Sequence, residues 1–216
     1  APNEFIPVAE SSGLIAPISE WVLQEACRQR RVWLDEGADD FRVAVNLSLS
    51  IFQNDDFVDL IRKTLQMTRC PARLLELEVT ESVIMENPAQ TLRNFRELRD
   101  LGVSFAIDDF GTGYSSLSYL RQLPVSALKI DKTFIDGLTE NADDAAIART
   151  VISLGRSLGM KVLAEGVETT DQVEFLWSAK CHQAQGFLFS RPAAADEILP
   201  FIRNPGFTTF TQKSLF

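Results

Sequence analysis

One pattern recurs along this chain and narrows its fold more than any other. Short runs alternate aliphatic residues with small or polar ones, and each run ends in a side chain bearing oxygen or nitrogen. In Val43-Ala44-Val45-Asn46-Leu47-Ser48, the residues Val43, Val45 and Leu47 share one face, and Ala44, Asn46 and Ser48 the other. Leu75, Leu77 and Val79 oppose Glu76 and Glu78, and Phe105 and Ile107 oppose Ala106 and Asp108. In Ala127–Asp131 the aliphatics oppose Lys129 and Asp131, and Val162 and Ala164 oppose Lys161, Leu163 and Glu165. A last run to Phe189 puts Gln183 and Gln185 on one face.

Helical stripes separate these runs. Pro17 in a first turn opens a helix whose inward stripe is Ile18, Val22, Ala26 and Trp33, and Gly37 closes it. Further helices are expected around Asp55–Thr68 and from the Asn87 cap and Pro88 to about Leu101. Ile147, Val151, Leu154 and Leu158 form another stripe ending at Gly159, and helices follow around Thr170–Ala179 and Asp196–Ile202. Asn3–Glu10 reads as a loop leading into a short helical turn.

A strand–helix unit repeated about six times implies parallel strands. Strands buried on both faces would read as nearly continuous apolar runs. Polar ends on strand after strand instead fit the catalytic rim of a TIM-type (β/α) barrel. That α/β class needs eight strands, so the sequence predicts a barrel about two strands short.

Composition removes several alternatives. The chain has 216 residues, 45% of them hydrophobic, enough for one substantial core in one domain. A net charge of −9 argues against binding a nucleic-acid polymer, which requires basic surface, but not against one small phosphorylated ligand neutralised by cations. No apolar run approaches the roughly 20 residues of a membrane span, and Ala1–Glu4 has neither the charged start nor the apolar core of a signal peptide. Cys27, Cys70 and Cys181 are odd in number, lack metal-ligand spacing and read as thiols of a reduced compartment. The expectation is therefore a cytoplasmic domain, whose parent chain can still be membrane-anchored through other segments.

The candidate chemistry lies at the strand ends, around Phe105-Ala106-Ile107-Asp108-Asp109-Phe110-Gly111-Thr112-Gly113-Tyr114-Ser115-Ser116. Gly111 and Gly113 permit φ > 0 or a close backbone approach, and Ser115 or Ser116 can cap a short helix through Leu120. The rim set is Asn46, Glu78, Asp108, Asp109, Lys129, Asp131, Glu165 and Gln185. Two like charges about 4 Å apart cost about 4 kcal/mol at an effective dielectric of 20, so such a cluster takes up protons or binds cations. With His182 the sole histidine, oxygen ligands favour one or two Mg²⁺ or Mn²⁺ ions. Lys129 can orient a water or stabilise developing charge, Asp131 can support Lys129 or the rim, and Glu81 can anchor the loop after Asp109. Asp109-Phe110-Gly111 matches a kinase metal-binding tripeptide, but no kinase glycine loop or catalytic loop accompanies it. An enolase-like barrel using Lys129 as base is a remote alternative.

Seven motifs, in order, resemble those of EAL-domain cyclic-di-GMP phosphodiesterases from Asn3 to about Pro192. They are Phe5-Ile6-Pro7-Val8-Ala9-Glu10, Val45-Asn46-Leu47-Ser48, Glu76-Leu77-Glu78-Val79-Thr80-Glu81-Ser82, Asp108 through Leu117, Leu128-Lys129-Ile130-Asp131, Ala164-Glu165-Gly166-Val167-Glu168-Thr169 and Gln185-Gly186-Phe187. The resemblance implies two-metal hydrolysis of cyclic di-GMP to linear pGpG. It implies metal-associated roles for Asn46, Glu78, Asp108, Asp109 and Glu165, and a lysine holding the water nucleophile in Lys129. Glu81 matches the glutamate that orders the loop, while Glu168 and Gln185 match positions near the nucleotide, with Asp131 placed beside them. A homodimer through the region around that loop is also implied, and sensory or regulatory domains can accompany this one in a parent chain. The segment with the Glu-Ala-Leu signature, which carries the first two barrel strands, does not occur in these residues. Residues 1–216 thus read as an EAL-like domain incomplete at its N-terminus. The alternative function is a catalytically inactive cyclic-di-GMP receptor signalling through protein partners.

Overall fold

The computed structural model describes residues 2–38, 41–113 and 117–203. Six strands form one sheet in sequence order, every adjacent pair parallel. They are β1 (Val43–Asn46), β2 (Leu75–Thr80), β3 (Ser104–Phe110), β4 (Ala127–Ile130), β5 (Lys161–Ala164) and β6 (Gln183–Ala184). Sequential order with helical crossovers is the winding of a (β/α) barrel. The architecture is an α/β half-barrel, with β1 and β6 at open edges.

The aliphatic faces pack as the alternation requires. Leu75, Leu77, Val79, Phe105, Ile107, Leu128, Ile130, Val162 and Ala164 all enter one core with the surrounding helices. Phe95, from helix Pro88–Asp100, stacks on Phe105 with ring centroids 3.9 Å apart. Asn87 caps that helix, its side chain accepting from the Gln90 amide, with Pro88 at the first turn. Thr169 and Gln172 form a reciprocal capping box on helix Thr170–Ser178. The sheet curls enough to bring its flanks together. Trp33 Nε1 donates to the Ala195 carbonyl at 3.2 Å, and Arg203 donates to that of Glu36 at 2.7 Å. Helix Ala195–Arg203 is thereby tied to the end of helix Ile15–Asp35.

Several expectations need correction. Asn3–Glu10 lies within an α-helix, Pro2–Ser11, with no preceding loop among the described residues; Pro7 is accommodated inside it. In helix Ile15–Asp35 the buried residues are Ser19, Leu23, Cys27, Arg30 and Trp33, so the inward stripe is rotated from the predicted one and Val22 is exposed. Apolar spacing alone missed this because the buried face carries two polar side chains with partners. Ser19 donates to Ser48 at 3.1 Å, and Arg30 lies 4.0 Å over the Phe41 ring while its Nε donates to the Phe41 carbonyl. The last strand is only Gln183–Ala184, because Gly186 and the turn after it leave the ladder. Ser115 and Ser116 lie outside the described residues; the short helix follows at Leu117–Leu120.

One close approach fixes the distance between helix and sheet. A Cβ built on Gly155, in helix Ala142–Ser157, would fall 2.3 Å from Val162 Cγ2 on β5. Gly155→Ala is expected to cost about 1–3 kcal/mol through overpacking, outweighing the better helix propensity of alanine. Urea denaturation checks this, and an unchanged midpoint would contradict the packing described.

Candidate active site

The site begins with an irregularity in β3. Ile107 pairs with Leu128 and Phe110 with Ile130, so two residues, Asp108 and Asp109, stand opposite the single residue Lys129. Asp109 has φ 52°, in the left-handed region, which aspartate enters more readily than most residues. Strict alternation would send adjacent side chains to opposite faces. The bulge and the left-handed residue together re-aim the second carboxylate, and both aspartates reach one hollow.

Lys129 sits at the centre of that hollow and is buried, as are Glu78 and Asp108. Its Nζ lies 2.6 Å from Glu78 Oε2, 3.0 Å from Asp108 Oδ1 and 2.7 Å from Glu165 Oε1. The three carboxylates arrive from β2, β3 and the residue after β5. Asn46, exposed at the end of β1, is the register partner of Glu78 and so stands beside it. Asp108, Asp109 and Glu165 each present a carboxylate oxygen within 4.8 Å of the others, a grouping able to hold a metal ion. The oxygen donors fit a hard divalent cation.

Electrostatics agree with the geometry. Burial raises the Glu78 carboxyl; Lys129 opposes the shift, and Asp108 and Glu76 add to it. Burial likewise raises Glu165, again with Lys129 opposing and Asp108 and Glu78 contributing. Asp109 is pushed up to about 6 by burial, by the charge of Asp108 and by a hydrogen bond shared with Asp131. Burial disfavours the Lys129 ammonium, but Glu78, Asp108 and Glu165 outweigh it and hold the pKa above its ordinary value. One ammonium therefore pairs with three carboxylates, with Asp109 grouped beside two of them, and together they retain an appetite for positive charge.

The surrounding residues hold this cluster in place. Gly111 N donates to Glu81 Oε1 at 2.8 Å, so Glu81 anchors the loop after β3 from a buried position. The φ of Gly111 is 104°, a conformation reserved in practice for glycine. Asp131 is not among the carboxylates on Lys129: it caps helix Lys132–Asp136, accepting from Thr133 N at 2.9 Å and from the Thr133 hydroxyl. Burial would raise the Asp131 carboxyl, but the hydrogen bonds from Thr133 outweigh it and lower the pKa. Gln185 Nε2 donates to Glu165 at 2.6 Å. Glu168 pairs with Lys132 at 2.7 Å on the exposed rim. Two residues here escaped the sequence reading. Gln172 is buried; its Oε1 accepts from the amides of Glu168 and Thr169, and its Nε2 donates to the Ile135 carbonyl. Lys132 also lies 5.9 Å from the Phe187 ring centroid, with Arg191 at 4.7 Å. The capping-box spacing of Thr169 and Gln172 was the available signal for the first.

Fold and site together define a parallel (β/α) half-barrel with an acidic, lysine-centred hollow at the C-terminal ends of its strands. Residues 1–192 match the EAL domain family, and the chain belongs to it. Over 198 residues it is 50% identical to the bifunctional diguanylate cyclase/cyclic di-GMP phosphodiesterase MucR of Pseudomonas aeruginosa, covering 92% of this chain and 29% of that protein. It is 45% identical over 202 residues to the cyclic di-GMP phosphodiesterase NbdA of the same organism, covering 94% and 26%. The chain thus spans less than a third of the length of these relatives. A solved structure of the MucR phosphodiesterase in complex with cyclic di-GMP superposes with a TM-score of 0.89 at 49% identity, covering 92% of this chain and 80% of that one. The EAL enzyme Bd1971 with cAMP and cyclic di-GMP bound gives 0.87 at 32% identity, covering 94% and 56%. Among the described residues no helix is long and apolar enough to cross a membrane.

Asp109 supplies a pH test. Its carboxyl binds a proton more tightly in the folded chain, at about 6, than at its ordinary 3.8. This contribution to stability is present below 3.8 and is lost as pH rises through about 6. In chelator, stability should therefore fall across that window less steeply in Asp109→Asn than in the wild type. Denaturation over a pH series checks the difference, and equal slopes would contradict it.

Proposed function

We propose that the chain hydrolyses cyclic di-GMP to linear pGpG at the hollow around Lys129. The observation that carries this reading is the convergence of Glu78, Asp108 and Glu165 on one lysine, with Asp109 grouped beside Asp108 and Glu165. It is supported by the likeness to proteins named as cyclic di-GMP phosphodiesterases and to an EAL structure with that nucleotide bound.

Asp108, Asp109 and Glu165, with Glu78 and Asn46 beside them, would hold one or two Mg²⁺ or Mn²⁺ ions. Bound there, such ions supply an acidified water and offset charge on a phosphodiester. Lys129, kept protonated by its neighbours, acts as a donor and not a base: it orients the attacking water from Nζ. Glu165, whose proton affinity is raised by burial, is placed to take the proton that water gives up. Attack at phosphorus forms one P–O bond and breaks the P–O3′ bond, opening the ring, and the departing O3′ takes up a proton from solvent to end as the 3′-hydroxyl. Gln185 holds Glu165 in position, while Glu168, set by Gln172 and Lys132, stands with Asp131 on the nucleotide side of the rim. Glu81 anchors the loop at Gly111. A homodimer through the region around that loop, a cytoplasmic location and regulatory domains elsewhere in a longer chain complete the proposal. So does an eight-stranded barrel in which two further strands close the gap between β1 and β6. The inactive-receptor alternative gives no chemical reason for Lys129 among these carboxylates.

The test is incubation with cyclic di-GMP and Mg²⁺ or Mn²⁺, followed by chromatography for the linear dinucleotide. Wild type should yield product in a cation-dependent manner. Glu78→Ala or Asp108→Ala should lower turnover about a hundredfold or more, as removal of a charge-stabilising group does. Tight binding without product, in a chain that includes the two further strands, would sink the enzyme reading in favour of the receptor. Glu81→Ala should cost about ten- to a hundredfold through a misplaced loop and speed amide exchange at Gly111. Unchanged turnover and exchange would contradict the anchoring role.

A further inference from the structure

One buried side chain beneath the rim is hydrogen-bonded to two different segments of it. Gln172 lies in the first turn of helix Thr170–Ser178 and is 6% exposed. Its Oε1 accepts from the amides of Glu168 at 2.7 Å and Thr169 at 3.0 Å, in the segment after β5. Its Nε2 donates at 3.0 Å to the carbonyl of Ile135, a fully buried residue of helix Lys132–Asp136 after β4. A capping box requires only the bond from Thr169. The other two go beyond closing a helix, and one of them reaches the neighbouring strand–helix unit.

The same two segments meet again on the exposed side. Lys132 Nζ pairs with Glu168 Oε1 at 2.7 Å. The Lys132 stem also lies against Gly166, where a Cβ would fall 2.4 Å from Lys132 Cγ. Val167 donates to the Gln185 carbonyl at 3.0 Å and accepts from the Leu188 amide at 3.1 Å, which carries the connection to the turn after β6. An exposed ion pair between two long side chains holds little by itself. The buried amide of Gln172 is the fixed end of the arrangement.

We propose that Gln172 is a positioning residue for nucleotide binding: it sets the spacing of Glu168 and Lys132, and its loss weakens the hold on cyclic di-GMP without slowing the chemical step. The inference rests on the reading that the hollow hydrolyses that nucleotide, with Glu168 on the nucleotide side of the rim. Glutamine suits the role because one neutral amide accepts from two main-chain N–H groups and donates to a carbonyl. An ionised glutamate would still accept, but would turn an oxygen towards the Ile135 carbonyl. Methionine would fill the space and do neither. Rim groups restrained before the ligand arrives bind it with less loss of entropy. The effect falls on KM, because Lys129 is held by Glu78, Asp108 and Glu165, none of them bonded to Gln172.

The experiment uses a chain that includes the two further strands, with Mn²⁺ and cyclic di-GMP. Gln172→Met should raise KM about tenfold and change kcat by less than about twofold. Amide exchange at Glu168 and Thr169 should quicken about tenfold or more, while that at Gly111, held by Glu81, stays as it is. In a Glu168→Ala background the same substitution should raise KM by less than about twofold more, since both changes remove one interaction. Gln172→Glu, which keeps the accepted bonds and loses the one to Ile135, should raise KM about threefold. If the methionine variant folds poorly, an unchanged KM in the glutamate variant overturns the proposal. So would an unchanged KM in Gln172→Met, a fall in kcat alone, or an undiminished effect in the Glu168→Ala background. A wild type that binds the nucleotide and turns none over defeats the hydrolysis reading instead. Amide exchange and the affinity for intact cyclic di-GMP then decide the role of Gln172 by the same comparisons.

Discussion

Lys129 is one buried ammonium asked to satisfy more negative charge than it carries. Its three nearest carboxylate partners lie between 2.6 and 3.0 Å away, on β2, on β3 and just after β5. A buried charge is tolerable only when paired, so these contacts fix the relative positions of the strands that carry them. Asp109 then adds a further carboxylate at the mouth of the hollow. Burial, with the charge of neighbouring carboxylates added to it, raises the carboxyl pKa values of Glu78, Asp109 and Glu165. Protons can relieve that crowding at low pH; at neutral pH a divalent cation relieves it better.

The rest of the molecule serves that hollow at successive distances. Aliphatic faces bind the sheet to its helices and hold the strand ends level. Gln185 holds Glu165 of the cluster directly, while Glu81 ties down Gly111 and Gln172 ties Glu168 and Thr169 to the Ile135 carbonyl. Each acts by restraint, and reacting groups gain most when their positions are set before the substrate arrives. The exposed pair Lys132–Glu168 and the nearby Phe187 lie further out on the rim.

Much of this was readable from the chain. The aliphatic alternation around Glu78, Lys129 and Glu165 fixes which face each side chain occupies, and in a parallel sheet that brings polar strand ends to one rim. The Asn87–Pro88 cap and the glycines after Asp109 also read directly. Other features depend on tertiary partners. The inward stripe of helix Ile15–Asp35 contains Ser19 and Arg30, which only Ser48 and Phe41 make acceptable inside. The convergence of Asp108 with Asp109 was legible as two acids but not as a geometry, because alternation sets them on opposite faces. A bulge opposite Lys129 and a left-handed residue decide the matter, and neither leaves a periodic trace. The helix at Pro2–Ser11 was hidden by its internal proline.

The carboxylates around Lys129 form a grouping that could hold a divalent cation. Calorimetric titration of Mn²⁺ into the chain near pH 6, in two buffers of different ionisation heat, measures both binding and the protons displaced. The account predicts saturable binding with net proton release, and a loss of both when Asp108 is replaced by asparagine. Heats no larger than dilution, or binding that releases no proton and survives that replacement, would contradict it.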